Sequence, residues 1–132
     1  MGIDPFLSTS AVGSIVAQRL ARKLCEKCKR PARVSETVLR HVGFPFELFE
    51  GEPEFHSPVG CEACRGGYSG RVGVFEVMPI TDEVEALALS RSSADEIGRA
   101  AARGGMVRMR ADGLLKAASG VTSIEEILRT TV

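Results

Sequence analysis

Cys25-x-x-Cys28 and Cys61-x-x-Cys64 hold all four cysteines of the chain. Two residues between thiols let one tight turn aim both sulfurs at one point. Two such turns supply the four thiolates that a tetrahedral zinc ion prefers. Disulfide or redox use is the alternative reading. The N-terminal residues Met1-Gly2-Ile3-Asp4-Pro5 carry no basic stretch and no signal-peptide core, so an oxidising compartment is not indicated. A thioredoxin-like CxxC belongs beside a βαβ pattern, but Cys28 is followed by Lys29-Arg30-Pro31 and Cys64 by Arg65-Gly66-Gly67. The spacing therefore marks Cys25, Cys28, Cys61 and Cys64 as metal ligands. His41 and His56 are surplus to such a set and read as surface or lobe-packing side chains.

A site closed by four thiolates keeps no position open for water or substrate, so the expected zinc is structural. It would close the excursion from Cys25 to Cys64, a segment too short to fold on its own core. Metal ligation is worth about 10–16 kcal/mol in small zinc modules, against about 2–4 kcal/mol for a typical disulfide. The metal would thus decide whether this lobe folds.

Around the first cysteine pair lie Arg19, Arg22, Lys23, Lys27, Lys29, Arg30 and Arg33, opposed only by Glu26. The simpler reading is that they offset the negative zinc–thiolate centre. The alternative is an anionic partner, either nucleic acid or acidic lipid headgroups. Formal charge over the whole chain is zero, so bulk electrostatics selects no partner.

The elements that must position the thiols follow from pattern and caps. The chain has 132 residues, is 44% hydrophobic and lacks tryptophan, as suits a domain with an aliphatic core. Its apolar runs are far shorter than a membrane span. Pro5 opens a short helical turn over 5–12. Residues 14–22 are ambiguous, since Ile15 and Val16 favour a strand while the Ala and Arg content favours a helix. Within the lobe Ser35 caps a helix stopped by Gly43, with Val38, Leu39 and Val42 on one face. Phe44, Phe46, Leu48, Phe49 and Phe55 form its candidate apolar core. After the Gly-rich turn at 65–70, which lacks the Lys-Ser/Thr of a phosphate loop, residues 71–78 read as a strand.

From residue 81 the chain reads as helical. Thr81 or Asp82 caps a helix through Ala88, and Ser93 with Glu96 forms a capping box before a helix ending at Gly104-Gly105. Met106 to Ala118 carries an apolar stripe of Leu114, Leu115 and Ala118, with Gly120 as C-cap. Thr122 with Glu125, or Ser123 with Glu126, caps the last helix. Carboxylates in these first turns are expected to serve the helix dipole. No nucleophile–base–orienter set is visible, and the chain alone reads as a non-enzyme.

Three blocks of sequence resemble the C-terminal part of type II secretion and type IV pilus assembly ATPases. The first is Pro5-Phe6-Leu7 with Ile15-Val16-Ala17-Gln18-Arg19-Leu20 and Cys25-Glu-Lys-Cys28. The second is Cys61-Glu-Ala-Cys64-Arg-Gly-Gly-Tyr-Ser-Gly-Arg-Val-Gly-Val-Phe-Glu76. The third joins Met106–Lys116 to Gly120–Arg129. Only residues 31–57 are generic. The resemblance implies an α+β fold: a small antiparallel strand pair, the end of a RecA-like sheet, with an inserted tetracysteine zinc lobe and a C-terminal helical region. The implied divisions are 1–22 for the end of the RecA-like domain, 23–66 for the zinc lobe, 67–80 for the return strand and 81–132 for the helices. It makes 14–22 a strand.

The same resemblance implies a cytoplasmic hexameric parent that uses ATP and Mg²⁺ and docks on an inner-membrane platform protein. The family's Walker A and B segments have no counterpart here. The chain is therefore expected to be part of a longer protein, and to neither bind ATP tightly nor hydrolyse it alone. Strands cut from their neighbours should leave Ile15, Val72, Val74 and Val77 uncovered and promote self-association, unless the C-terminal helices fold over them. The competing expectation is a free-standing zinc ribbon that binds nucleic acid. It is disfavoured because no basic–aromatic interleaving is present and the helical tail is left without a role.

Overall fold

A computed structural model describes residues 2–132. It is an α+β fold in which the long strands β1 (Ser14–Leu24) and β4 (Tyr68–Pro79) form a two-stranded sheet. Their antiparallel sense shows at the two ends. Ile80 N–H donates to Gly13 O at 3.0 Å, and Cys25 N–H to Gly67 O at 2.8 Å. The ambiguity over 14–22 is thus settled by pairing: the β-branched residues of β1 lie in a ladder, where they fit best.

The chain packs as two compact units, one comprising the chain up to Ala17 with Glu76–Arg108, the other Gln18–Phe75 with Met109–Val132. In the first, α1 (Pro5–Ala11) begins at Asp4, whose carboxylate accepts from Phe6 N–H, and Pro5 occupies the first turn. Thr81 caps α3 (Asp82–Leu89). Ser93 caps α4 (Ala94–Arg103) in a complete capping box with Glu96. Val84, Ala100, Ala101 and Met106 make the core of this unit. Met106 is part of that core, which is why α5 starts at Met109 and not at Met106 as its apolar stripe suggested.

The second unit holds the cysteines. Here α2 (Glu36–Val42) runs from its Ser35 cap to Gly43, which takes the left-handed conformation at φ 83°. A single turn of 3₁₀ helix follows at Phe46–Leu48. The two-residue strands β2 (Arg30–Pro31) and β3 (His56–Ser57) pair antiparallel, Arg30 opposite Ser57 and Pro31 opposite His56. The last helices, α5 (Met109–Ala118) and α6 (Ile124–Thr130), pack closely at Gly113. A Cβ at Gly113 would lie 2.7 Å from Ile127 Cγ2.

One core serves this whole unit. Leu39, Phe44 and Phe55 from the lobe are buried with Ala21 and Val74 from the strands and Leu114, Ala117, Ala118 and Ile127 from α5 and α6. Phe44 meets Phe46, Phe49 and Phe55 edge-to-face at 5.0, 5.9 and 5.8 Å between centroids. The expected lobe core is therefore real but not private to the lobe. Phe46 and Leu48 stay exposed at its margin, and of the α2 face only Leu39 is buried while Val38 faces water.

Candidate metal centre

The turn that carries the second cysteine pair points backbone N–H groups at one sulfur of each pair. Gly60 N–H donates to Cys28 Sγ at 3.4 Å and Cys61 N–H to Cys64 Sγ at 3.3 Å. Gly67 closes the second turn at φ +96°. There a Cβ would meet Pro58 Cβ at 2.5 Å and Val59 N at 2.8 Å. Its carbonyl ties the turn to Cys25. The Gly-rich segment after Cys64 is thus a close-packed knuckle, in keeping with its lack of phosphate-loop residues.

These turns bring the four sulfurs within 4.8 Å of one another, and neither His41 nor His56 joins the group. Cys25 and Cys61 sulfurs are 3.8 Å apart, Cys28 and Cys64 3.7 Å, Cys61 and Cys64 3.6 Å. Sulfurs about 2.3 Å from a central zinc define a tetrahedron with edges of about 3.8 Å. A disulfide needs a separation of about 2.0 Å, and all four thiols are free. The donor set and its spacing fit a four-coordinate thiolate metal.

The thiols do not ionise alike in one another's field. Cys64 is brought down to about 7: burial opposes its thiolate, but N–H groups of Cys61 and Gly67 and the neighbouring thiols outweigh it. Cys61 is pushed up to about 11, since the thiolate-favouring N–H of Ala63 is outweighed by sharing a proton with Cys64, by burial and by Cys25 and Cys28. A divalent cation removes this conflict by letting all four ionise together.

The metal lobe is fastened to the α5–α6 turn. Leu24 N–H donates to Val121 O at 2.9 Å and Glu54 N–H to Ala118 O at 2.8 Å. Lys29 Nζ reaches Gly120 O and Glu26, both at 3.0 Å. His56 donates from Nδ1 to Glu54 O at 3.1 Å, so it packs the lobe as expected.

A second cluster escaped the sequence reading. The side chain of Glu126, in the first turn of α6, is fully buried. Its Oε1 accepts from Arg22 N–H at 3.0 Å, and its Oε2 from Arg22 Nε and Nη2 at 3.1 and 2.7 Å. Arg129 Nη2 adds a contact at 2.6 Å. Burial opposes the charge, yet Arg129 and Arg22 hold this carboxyl down at about 2. Of the seven basic residues around the first cysteine pair, Arg22 thus pairs with Glu126 through Nε and Nη2, Lys29 bonds Glu26 and Gly120 O, and Arg19 bonds Thr130 O at 2.7 Å.

The fold and site define an α+β protein with a tetracysteine metal module. The sequence model of the type II/IV secretion system protein family matches residues 1–129, and the chain belongs to that family. It is 45% identical over 132 residues to the type IV pilus assembly ATPase PilB of Acinetobacter baylyi, covering 99% of this chain and 23% of that protein. It is 42% identical over 131 residues to the PilB of Pseudomonas aeruginosa, again 99% and 23%. Type II secretion system protein E of P. aeruginosa is 39% identical over 132 residues, covering 99% of this chain and 26% of that protein. The chain spans about a quarter of the length of these relatives.

Proposed function

We propose that this chain is the C-terminal metal-binding part of a secretion or pilus-assembly ATPase, in which a structural zinc held by Cys25, Cys28, Cys61 and Cys64 shapes a docking lobe. In this reading residues 1–22 and 67–80 are the end of a RecA-like sheet, 23–66 the zinc lobe and 81–132 the helical region. ATP and Mg²⁺ are handled elsewhere in the parent. The parent works as a cytoplasmic oligomer against an inner-membrane platform protein.

The observation that carries the reading is the grouping of four sulfurs within 4.8 Å in a chain that matches the family over 1–129. The zinc-ribbon alternative finds less support, because three of the basic residues it would use are engaged internally. A chimera gives the test. The matching segment of the A. baylyi pilus assembly ATPase is replaced by this chain, and ATP turnover and surface pili are scored. Restored pili, lost again with Cys61→Ser, support the proposal. A chimera that hydrolyses ATP normally but is indifferent to Cys61→Ser refutes a docking role for the zinc lobe.

A further inference from the structure

An open cavity of about 290 Å³ lies on the second unit, lined by Arg22, Arg65, Tyr68, Gly70 and Arg71. Its floor is rigid. Arg22 stacks over the Tyr68 ring at 4.2 Å, and Tyr68 Oη is pinned to Ser123 Oγ at 2.7 Å. Glu126 grips Arg22 through Nε and Nη2, which leaves Nη1 without a hydrogen bond among the described residues. One carboxylate serves both Arg22 and Arg129, so that trio keeps an excess of one positive charge. Arg65 and Arg71 are exposed and have no acidic partner among the described residues. Arg65, Arg71 and the open Nη1 edge of Arg22 therefore bring three guanidinium groups to one concavity in a chain whose net charge is zero.

We propose that this cavity is an anion site that takes a phosphate group. Guanidinium forks match phosphate oxygens in geometry and charge, and a prefixed Arg22 loses little side-chain freedom on binding. The volume is at the small end for ligand sites. The one aromatic face in the cavity is already covered by Arg22, so no platform is left for stacking a base, and nucleic acid is disfavoured.

The test uses the full, zinc-loaded chain, titrated with inorganic phosphate at constant ionic strength and followed by amide and arginine Nε NMR. Saturable shifts should centre on Gly70, Arg71, Arg65 and Arg22. Arg71→Gln and Arg65→Gln, both exposed and outside the core, should each weaken binding about tenfold. A second arm uses phosphatidylglycerol vesicles against phosphatidylcholine vesicles. Binding only to the former, lost in Arg71→Gln, would give the phosphate a lipid source; binding of free phosphate would give it a soluble one. Unchanged affinity in both variants overturns the site, as do non-saturable shifts over all cationic surfaces. So does weakening confined to Arg65→Gln with loss of zinc, since Arg65 would then be serving the thiolates.

Discussion

Asp112 Oδ2 accepts a hydrogen bond from the backbone N–H of Phe75 at 2.9 Å. Lys116, one helical turn further on, holds the same carboxylate at 2.6 Å and donates to Gly73 O at 2.8 Å. An ion pair on α5 thus stands where the backbone of a third strand would pair with β4. It blocks that edge at the positions where an incoming chain would add. The apolar face is treated unevenly: Val74 is fully buried and Val72 packs on the same core, while Ile15, Val16 and Val77 remain about half exposed. Expected self-association therefore has a specific gate. Asp112→Ala with Lys116→Ala should raise the sedimentation-detected dimer fraction at equal concentration and leave metal content unchanged. An unaltered monomer–dimer balance would show that the edge is protected by something else.

Metal removal should not stop at the lobe. The shared core of Leu39, Phe44 and Phe55 with Leu114, Ala117 and Ile127 couples the thiolate site to α5 and α6. Purified protein should carry close to one equivalent of zinc. Chelation or Cys61→Ser should then speed amide exchange in α2, α5 and α6 by orders of magnitude, while α3 and α4, which have their own core, stay protected. Exchange confined to residues 25–64 would mean that α5 and α6 hold together without the metal lobe.

The local signals were legible in the sequence for a physical reason. A capping serine or threonine and the N–H from which it accepts lie three residues apart, so Ser35, Thr81, Ser93 and Ser123 can be read without knowing the fold. Two thiols on one turn are equally local, and the turn itself aims them. What stayed hidden were partners far apart in the chain. Ser123 with Glu126 looked like a reciprocal box, but the Glu126 carboxylate turns to Arg22, which no local rule anticipates. The strand over 14–22 was undecidable from its own residues because the partner β4 supplies the ladder.

Glu126 should make stability pH-dependent with a definite sign. Its carboxyl sits at about 2 in the fold against an ordinary value of 4.5. A carboxyl lowered by folding stabilises the fold above its unfolded pKa and gives that up as pH falls toward the folded one. Glu126→Gln should cost about 1–3 kcal/mol at neutral pH, because Arg22 and Arg129 are each about half exposed and recover water. The gap in Tm between the two chains should narrow below about pH 5. Thiolate protonation weakens metal binding in both chains alike, so the difference isolates Glu126. A gap that widens with acid would mean the carboxylate is not the stabilising form.

Gly67→Ala should be among the most damaging single changes outside the cysteines. The residue stands at φ +96°, where an L side chain is strained, and its Cβ would press on Pro58 at 2.5 Å and on the backbone N of Val59 at 2.8 Å. Backbone and a proline ring cannot give way as a flexible side chain can. Either the 58–60 segment moves, shifting Gly60 N–H off Cys28 Sγ, or the turn opens and Cys64 leaves the tetrahedron. Both routes act on zinc before they act on the rest of the fold. Zinc retention against a competing chelator should therefore drop at least tenfold. Gly66→Ala also lies at positive φ but in open space, so it should cost only about 1 kcal/mol and leave zinc in place. Equal zinc retention in the two variants would mean that backbone strain alone governs this turn and that the contact with Pro58 does not hold the thiols.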